Sequence, residues 1–150
     1  MRETERWLEE ELVRIHGEVS RMLRRIVPEE QWRAMREHKG FTPPADVYET
    51  DQQLVVRVEI AGVDEAAWEV SFANQVLTVK GHRHDPAEKL AYQQMEIPYG
   101  EFRADIFLPQ AVDAAGIEAK YDNGFLTVTL PRIPGPQKVP VAIRPEENSS

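Results

Sequence analysis

The sequence predicts an all-β protein, an antiparallel β-sandwich of the immunoglobulin-like kind, with a helical arm before it and an extended tail after it. Three observations support this prediction: apolar residues spaced by 3 and 4 up to Ile26, alternation with period two from Ala45 onward, and a proline-rich break that begins at Pro131. Charge divides the chain similarly, since residues 1–40 are neutral and residues 41–150 carry the whole net charge of −8. We therefore expect an arm over residues 1–42, a sandwich over 43–131 and a flexible tail over 132–150.

An apolar stripe in the arm predicts an amphipathic helix. The helix should end at Pro28, and a second short helix should follow at residues 29–37. The stripe packs either on its own sandwich or on other chains, and the pattern favours neither. Its members are Leu8, Leu12, Ile15, Val19, Met22 and Ile26.

Alternating apolar and polar residues predict seven or eight short strands, which is typical of a sandwich. Asp64 should cap a single helical turn at residues 65–67. The strongest hairpin signal is Asp122-Asn123-Gly124. The predicted strands are residues 54–60, 68–72, 76–83, 92–96, 102–108, 117–121 and 125–130.

The tail combines a stiff linker with a short apolar strand. Prolines at 131, 134 and 136 favour an extended chain. In such a chain the side chains of Val139, Val141 and Ile143 project from one face. An apolar strand beyond its own domain needs a groove to occupy.

Composition and motifs argue against an enzyme, a cofactor and a metal centre. Lys and Arg number 18 against 26 Asp and Glu, which disfavours nucleic acid as a partner, and the absence of Cys removes thiolate chemistry. We find no Gly-rich phosphate loop and no Gly-x-Ser-x-Gly motif. His82 and His84, beside Asp85, are more simply a solvated strand end than a metal site. No apolar run is long enough for stable membrane insertion, and a cytoplasmic protein is expected.

Several motifs in order resemble the α-crystallin domain of small heat-shock proteins of the bacterial and plant type. Residues 44–49 and 54–59 resemble the opening of that domain, and residues 76–81 resemble the strand before its long loop. The family signature Ala-x4-Gly-x-Leu is matched by Ala119, Gly124 and Leu126. The tail resembles the family's Ile-x-Ile motif, in either of two overlapping triplets, Val139-Pro140-Val141 or Val141-Ala142-Ile143.

The resemblance implies an ATP-independent holdase that binds unfolding client proteins as an exchangeable oligomer of dimers. It implies dimerisation by exchange of a strand made of Tyr92, Gln93, Gln94 and Met95. It also implies that Val139, Val141 and Ile143 anchor the tail on a neighbouring dimer. The partners are then other copies of the chain and unfolded clients. Candidate client contacts in the arm are Trp7, Leu8, Leu12, Ile15, Val19, Met22, Leu23, Ile26 and Trp32.

One position departs from the family pattern. Many members carry an Arg two residues after the aromatic of the strand that follows Gly100, and here that position is Ala104, with Arg103 before it. The main alternative function is a co-chaperone-like adaptor with one dedicated partner. The adaptor would be a monomer or dimer and would not need the tail motif.

Overall fold

The computed structural model describes residue 21, residues 25–133 and residues 141–146. The predicted long helix therefore lies mostly outside the described residues, although Arg21, Arg25 and Ile26 are helical. The predicted short helix is confirmed as α1 (Glu29–Arg36), with acidic residues in its first turn and basic residues in its last. That arrangement complements the helix dipole.

Seven strands make two antiparallel sheets in the described part of the chain, which confirms the predicted sandwich. One sheet has the order β1-β2-β7-β6 and the other the order β3-β4-β5. The strands are β1 (Ala45–Glu49), β2 (Gln53–Glu59), β3 (Trp68–Ala73), β4 (Val76–Arg83), β5 (Gly100–Phe107), β6 (Glu118–Asp122) and β7 (Phe125–Pro131).

The core lies between the two sheets and consists of the inward side of the period-two pattern. Val56 and Val58 of β2 and Val128 of β7 are fully buried against Leu77 and Val79 of β4. Each fully buried side chain of this size contributes about 1.5–3 kcal/mol to folding. The alternation therefore predicts the buried face of β7, whereas residues 76–79 of β4 are buried on both faces.

Two-residue turns connect the paired strands at both predicted hairpins. Asn123 and Gly124 have φ values of 51° and 81°, and Asn74 and Gln75 have φ values of 53° and 64°. Left-handed backbone at both positions matches the right-handed twist of the strands. Two hydrogen bonds hold Gln75 in this conformation. Its backbone carbonyl accepts a hydrogen bond from Leu108 N, and its side-chain amide donates one to the Pro109 carbonyl.

Two local predictions differ from the structure, and β1 has no counterpart among the predicted strands. A 3-10 turn does form at Glu65–Ala67, but the Asp64 side chain makes no capping bond, and the Asp64 backbone carbonyl accepts from Ala67 N instead. Residues 92–96 form no strand in the single chain. A strand needs a neighbour for its backbone hydrogen bonds, and no described segment of this chain lies beside residues 92–96 as a paired strand.

Candidate protein-interaction surfaces

The outer edge of β1 is open to another chain. Strand β1 pairs on one side with β2 and is the terminal strand of its sheet in the described structure. Every residue of β1 is exposed, including Val47 and Tyr48. An exposed edge strand presents unpaired N–H and C=O groups on which a further strand can form.

Residues 84–99, which we call the exchange loop, connect β4 to β5 and carry exposed apolar side chains. Tyr92 is 46% exposed and Met95 60% exposed, and Leu90 and Ile97 are exposed too. Gln93 and Gln94 between them are also exposed. The predicted exchange strand thus lies on the surface, with apolar side chains that its own sandwich does not cover.

A polar cluster shapes the first half of the exchange loop. The Lys89 ammonium and the Tyr92 hydroxyl both donate to Asp85 Oδ2, and Ala87 N donates to Asp85 Oδ1. The hydrogen bond from Lys89, followed by the one from Ala87 N, holds the pKa of Asp85 below its usual range. The same bond to Asp85 raises the pKa of Lys89.

The edge strands β3 and β6 lie on the same side of the sandwich, and we call the apolar surface that their side chains form there the edge groove. The rings of Trp68 on β3 and Tyr121 on β6 meet across it with centroids 5.1 Å apart. The Tyr121 hydroxyl donates to the Ile60 carbonyl at 2.7 Å, which holds the ring in place. Partly buried apolar side chains line the groove: Trp68, Val70, Phe72, Ile117 and Tyr121.

The family signature residues lie beside this groove. Ala119 pairs with Val128, whose side chain faces the core, so Ala119 also faces inward although it is exposed. Because the Ala119 side chain is only a methyl group, this exposed position presents little bulk to a side chain that packs beside it. Gly124 is the second of the two left-handed residues of the β6–β7 turn, and Leu126 is buried in the core.

Residues 141–146 of the tail are exposed. Val141 is 84% exposed and Ile143 is 96% exposed. Val139 lies outside the described residues. The two visible apolar side chains of the tail strand therefore have no cover within the described chain.

Of the predicted arm contacts, two lie in the described part of the chain. Ile26 is exposed, whereas Trp32 of α1 is half-buried in a small cluster with Val27, Met35 and Phe107, packed on Val76 of β4. Gln31 joins this helix to the β3–β4 turn through the Ala73 carbonyl and the Asn74 side chain. The other predicted contacts, Trp7, Leu8, Leu12, Ile15, Val19, Met22 and Leu23, lie outside the described residues.

The departure at Ala104 changes which face of β5 carries an Arg. Ala104 is buried, opposite Val79, on the inner face. Arg103 is on the outer face, where it makes two hydrogen bonds to Asp105, at 2.8 and 3.2 Å, while Thr78 Oγ1 donates to the same carboxylate at 2.7 Å. A shift of one residue in a strand moves a side chain to the other face of the sheet.

The two histidines do not form a metal centre in the described structure. The ring centroids of His82 and His84 are 6.4 Å apart, and no group of three or more potential ligands occurs among the described residues. His82 lines an open cleft of about 610 Å³ whose lining includes three acidic and three basic side chains, a balance that favours no class of ion. Among the described helices none has the length and hydropathy of a membrane span.

Comparison with known proteins identifies the family. A sequence model of the Hsp20/alpha crystallin family matches residues 46–144. Heat shock protein 16 of Schizosaccharomyces pombe is 33% identical over 109 residues, which cover 69% of this chain and 76% of that protein. Small heat shock protein C2 of Rickettsia felis is 31% identical over 96 residues, which cover 63% of this chain and 62% of that protein.

Solved structures agree with the sequence matches. Heat shock protein 16.0 from Schizosaccharomyces pombe superposes with a TM-score of 0.58 and 31% identity over 69% of this chain and 99% of that one. A small heat-shock protein from Xylella fastidiosa gives a TM-score of 0.57 with 28% identity over 70% of this chain and 100% of that one. This chain belongs to the Hsp20/alpha crystallin family, and the resemblance stated from the motifs is confirmed. The matches span 62% and 63% of the Rickettsia felis and Stigmatella aurantiaca relatives.

Two sets of contacts at these surfaces could not be predicted from the sequence: the contact between two aromatic rings and the contacts of one Arg. Trp68 and Tyr121 are 53 residues apart in the sequence, and only the packing of the sheets brings their rings together. Arg83 holds the base of the exchange loop through backbone carbonyls. Every residue has a carbonyl, so no residue type marks such a partner in the sequence.

Proposed function

We propose that this protein is an ATP-independent holdase chaperone that binds unfolding proteins and prevents their aggregation. It would act without an enzymatic step or a cofactor, as an exchangeable oligomer of dimers. A cytoplasmic location is part of the proposal and is consistent with a chain that contains no Cys.

The observation that carries the proposal is the number of unsatisfied protein-binding edges on one small sandwich. The described chain has an open β1 edge, an apolar edge groove between β3 and β6, and exposed apolar residues in both the exchange loop and the tail. Unfolding proteins aggregate through the same features, exposed apolar surface and unpaired strands. Reversible contacts at these edges would give the protein surfaces that clients can occupy.

The dimer follows from the first two of these features. Residues 92–95 would add to β1 of a partner as an extra antiparallel strand, by β-augmentation. The four residues suit a strand of five, and the pairing would cover Tyr92, Met95 and Val47. Both partners would make the same contact, which gives a closed two-fold dimer.

The larger assembly follows from the tail. Val141 and Ile143, with Val139, would dock in the edge groove of a neighbouring dimer, where Ala119 leaves space for an apolar side chain. Pro140 lacks an N–H donor, so its nitrogen would face away from the paired strand. Because the tail and the groove are different surfaces, the contact is heterologous and builds rings, cages or larger assemblies.

In this proposal the arm captures the clients. Trp32 packs on its own sandwich, which leaves less of its ring for contact with a client. Ile26 and the predicted contacts before it remain candidates for client binding.

Light scattering of a heat-labile client tests the function directly. The client is held at its aggregation temperature without ATP while the protein is titrated in, and circular dichroism confirms that the protein stays folded. We expect suppression near one dimer per client. Unchanged aggregation with folded protein would contradict the holdase and favour the adaptor, whose single partner would then be sought.

A further inference from the structure

The base of the exchange loop is closed by one side chain, that of Arg83. Arg83 is the last residue of β4 and pairs with Gly100, the first residue of β5, so the loop begins and ends at this pair. The side chain is half-buried. It lies where the outgoing and returning ends of the loop meet.

The guanidinium binds two backbone carbonyls from different parts of the chain. Its Nε and Nη2 both donate to the Pro98 carbonyl at the returning end of the loop, with Nε at 3.0 Å. Its Nη1 donates to the Ala61 carbonyl, in the connection between β2 and β3, at 3.3 Å. Arg83 thereby attaches the returning end of the loop both to β4 and to the connection that joins the two sheets.

Two aromatic rings flank the same guanidinium. Its carbon is 4.9 Å from the ring centroid of Phe41 and 5.4 Å from that of Tyr99. Phe41 is the last part of the arm, and its N–H and C=O are bonded to Glu101 and Arg103 of β5. Arg83 therefore contacts the arm, the exchange loop and the sandwich at one point.

We propose that Arg83 is a positioning residue for dimer formation. By holding Pro98 and Tyr99, it restricts the conformations of the exchange loop before residues 92–95 meet a partner, and this lowers the entropy lost on binding. A Lys side chain would keep the positive charge. It lacks the planar guanidinium, whose N–H groups bind the two carbonyls and whose carbon lies near the two rings. The inference rests on the strand exchange proposed above.

The test compares Arg83→Lys with Arg103→Lys. Arg103 is also half-buried and makes two hydrogen bonds, against three for Arg83, and both go to Asp105 on the outer face of β5. Dimer dissociation is measured by sedimentation velocity on chains that carry the Val139, Val141 and Ile143 to Ser substitutions. We expect a dissociation constant about tenfold higher for Arg83→Lys than for Arg103→Lys, which corresponds to about 1.4 kcal/mol.

Hydrogen exchange separates positioning from general stability. In the full chain with its native tail, Arg83→Lys should speed exchange at amides of residues 84–97 while the buried amides of β4 and β7 exchange as in the wild type. Loss of protection throughout the sandwich, equal in both variants, would mean that Arg83 only stabilises the fold. If Arg83→Lys fails to fold, Tyr99→Leu removes one flanking ring and provides the same comparison.

A further variant distinguishes this inference from the proposed dimer. Gln93→Pro with Gln94→Pro removes two successive N–H donors, of which one must face the partner strand. If this variant dissociates and Arg83→Lys does not, the role of Arg83 is wrong while strand exchange stands. If the double Pro variant remains a dimer, strand exchange itself is wrong and the role of Arg83 falls with it.

Discussion

The interior of the sandwich contains the same kinds of apolar side chain as the exchange loop and the tail. The interior buries these side chains, whereas the loop and the tail expose them. Val56 and Val128 are completely buried between the sheets, whereas Val141 and Ile143 of the tail are almost completely exposed. The interior valines lie on strands whose neighbours come from the same chain. Val141 and Ile143 have the same hydrophobicity but are not covered by any described residue, and in the proposed assembly other copies of the chain would cover them.

The largest difference between the two regions should appear in stability. Phe102 is buried at the centre of the sandwich and contacts the rings of Phe41 and Trp68. Phe102→Ala should lower the free energy of unfolding by about 3–5 kcal/mol, because the ring is lost and a cavity remains. Thermal or urea unfolding followed by circular dichroism measures this loss.

Leu90→Ala provides the matched control in the exchange loop. Leu90 is fully exposed in the described structure, so its removal should leave the unfolding free energy within about 0.5 kcal/mol of the wild type. An equal loss for Leu90 and Phe102 would contradict the division between the two regions.

The second prediction concerns assembly without a change in stability. Replacing Val139, Val141 and Ile143 with Ser should reduce large assemblies to dimers, because the apolar contacts of the tail are lost. Sedimentation velocity or native mass spectrometry gives the mass, and the melting temperature of the sandwich should stay the same. An unchanged mass would show that the tail does not link dimers.

The groove provides the same test from the other side. Ala119→Phe places a large side chain in the edge groove, beside Trp68 and Tyr121. It should also reduce assemblies to dimers. Lys120→Phe, on the opposite face of β6, is the control, because neighbouring residues of a strand face opposite sides. Dissociation by Lys120→Phe alone would place the docking surface on the outer face.

The smallest expected effect is the pH dependence of the exchange loop. The pKa of Asp85 is lowered, so its contribution to loop order is present above about pH 4 and is lost as pH falls through the lowered pKa. The pKa of Lys89 is raised, so its contribution is present below about pH 10 and is lost as pH rises through the raised pKa. NMR line shapes of the loop should therefore change at both extremes of pH.

Asp85→Asn tests the same cluster through its acid transition. The amide keeps the size of the side chain but removes its charge, and the loop amides should lose their dependence on low pH. An acid transition of the loop that persists in Asp85→Asn would assign the titration to another group.

Prediction from sequence succeeded where a feature depends on neighbouring residues. The period-two pattern located six of the seven strands of the described sandwich but not β1, and Asp122-Asn123-Gly124 located a turn with two left-handed residues. It failed at the Asp64 side chain, where a backbone carbonyl satisfies the same donor. Residues 92–96 have strand-forming residues but no strand, because pairing is not a property of the segment alone.

The candidate surfaces were only partly predictable. Motif resemblance indicated the tail, the exchange segment and the signature Ala119, but the arm lies before the residues that match the family model. The contacts of Arg83 and the displacement of an Arg from the inner to the outer face of β5 required the structure.

By itself, the sequence determined which residues alternate, where the chain turns, and which family the chain belongs to. The alternation and the turns depend on side-chain periodicity and on backbone sterics, which act over a few residues. The tertiary structure decided that β3 and β6 share one side of the sandwich, that Trp68 meets Tyr121 there, and that Arg83 joins the arm to the exchange loop. These contacts join residues far apart in the chain, and they follow from packing two twisted sheets around one core.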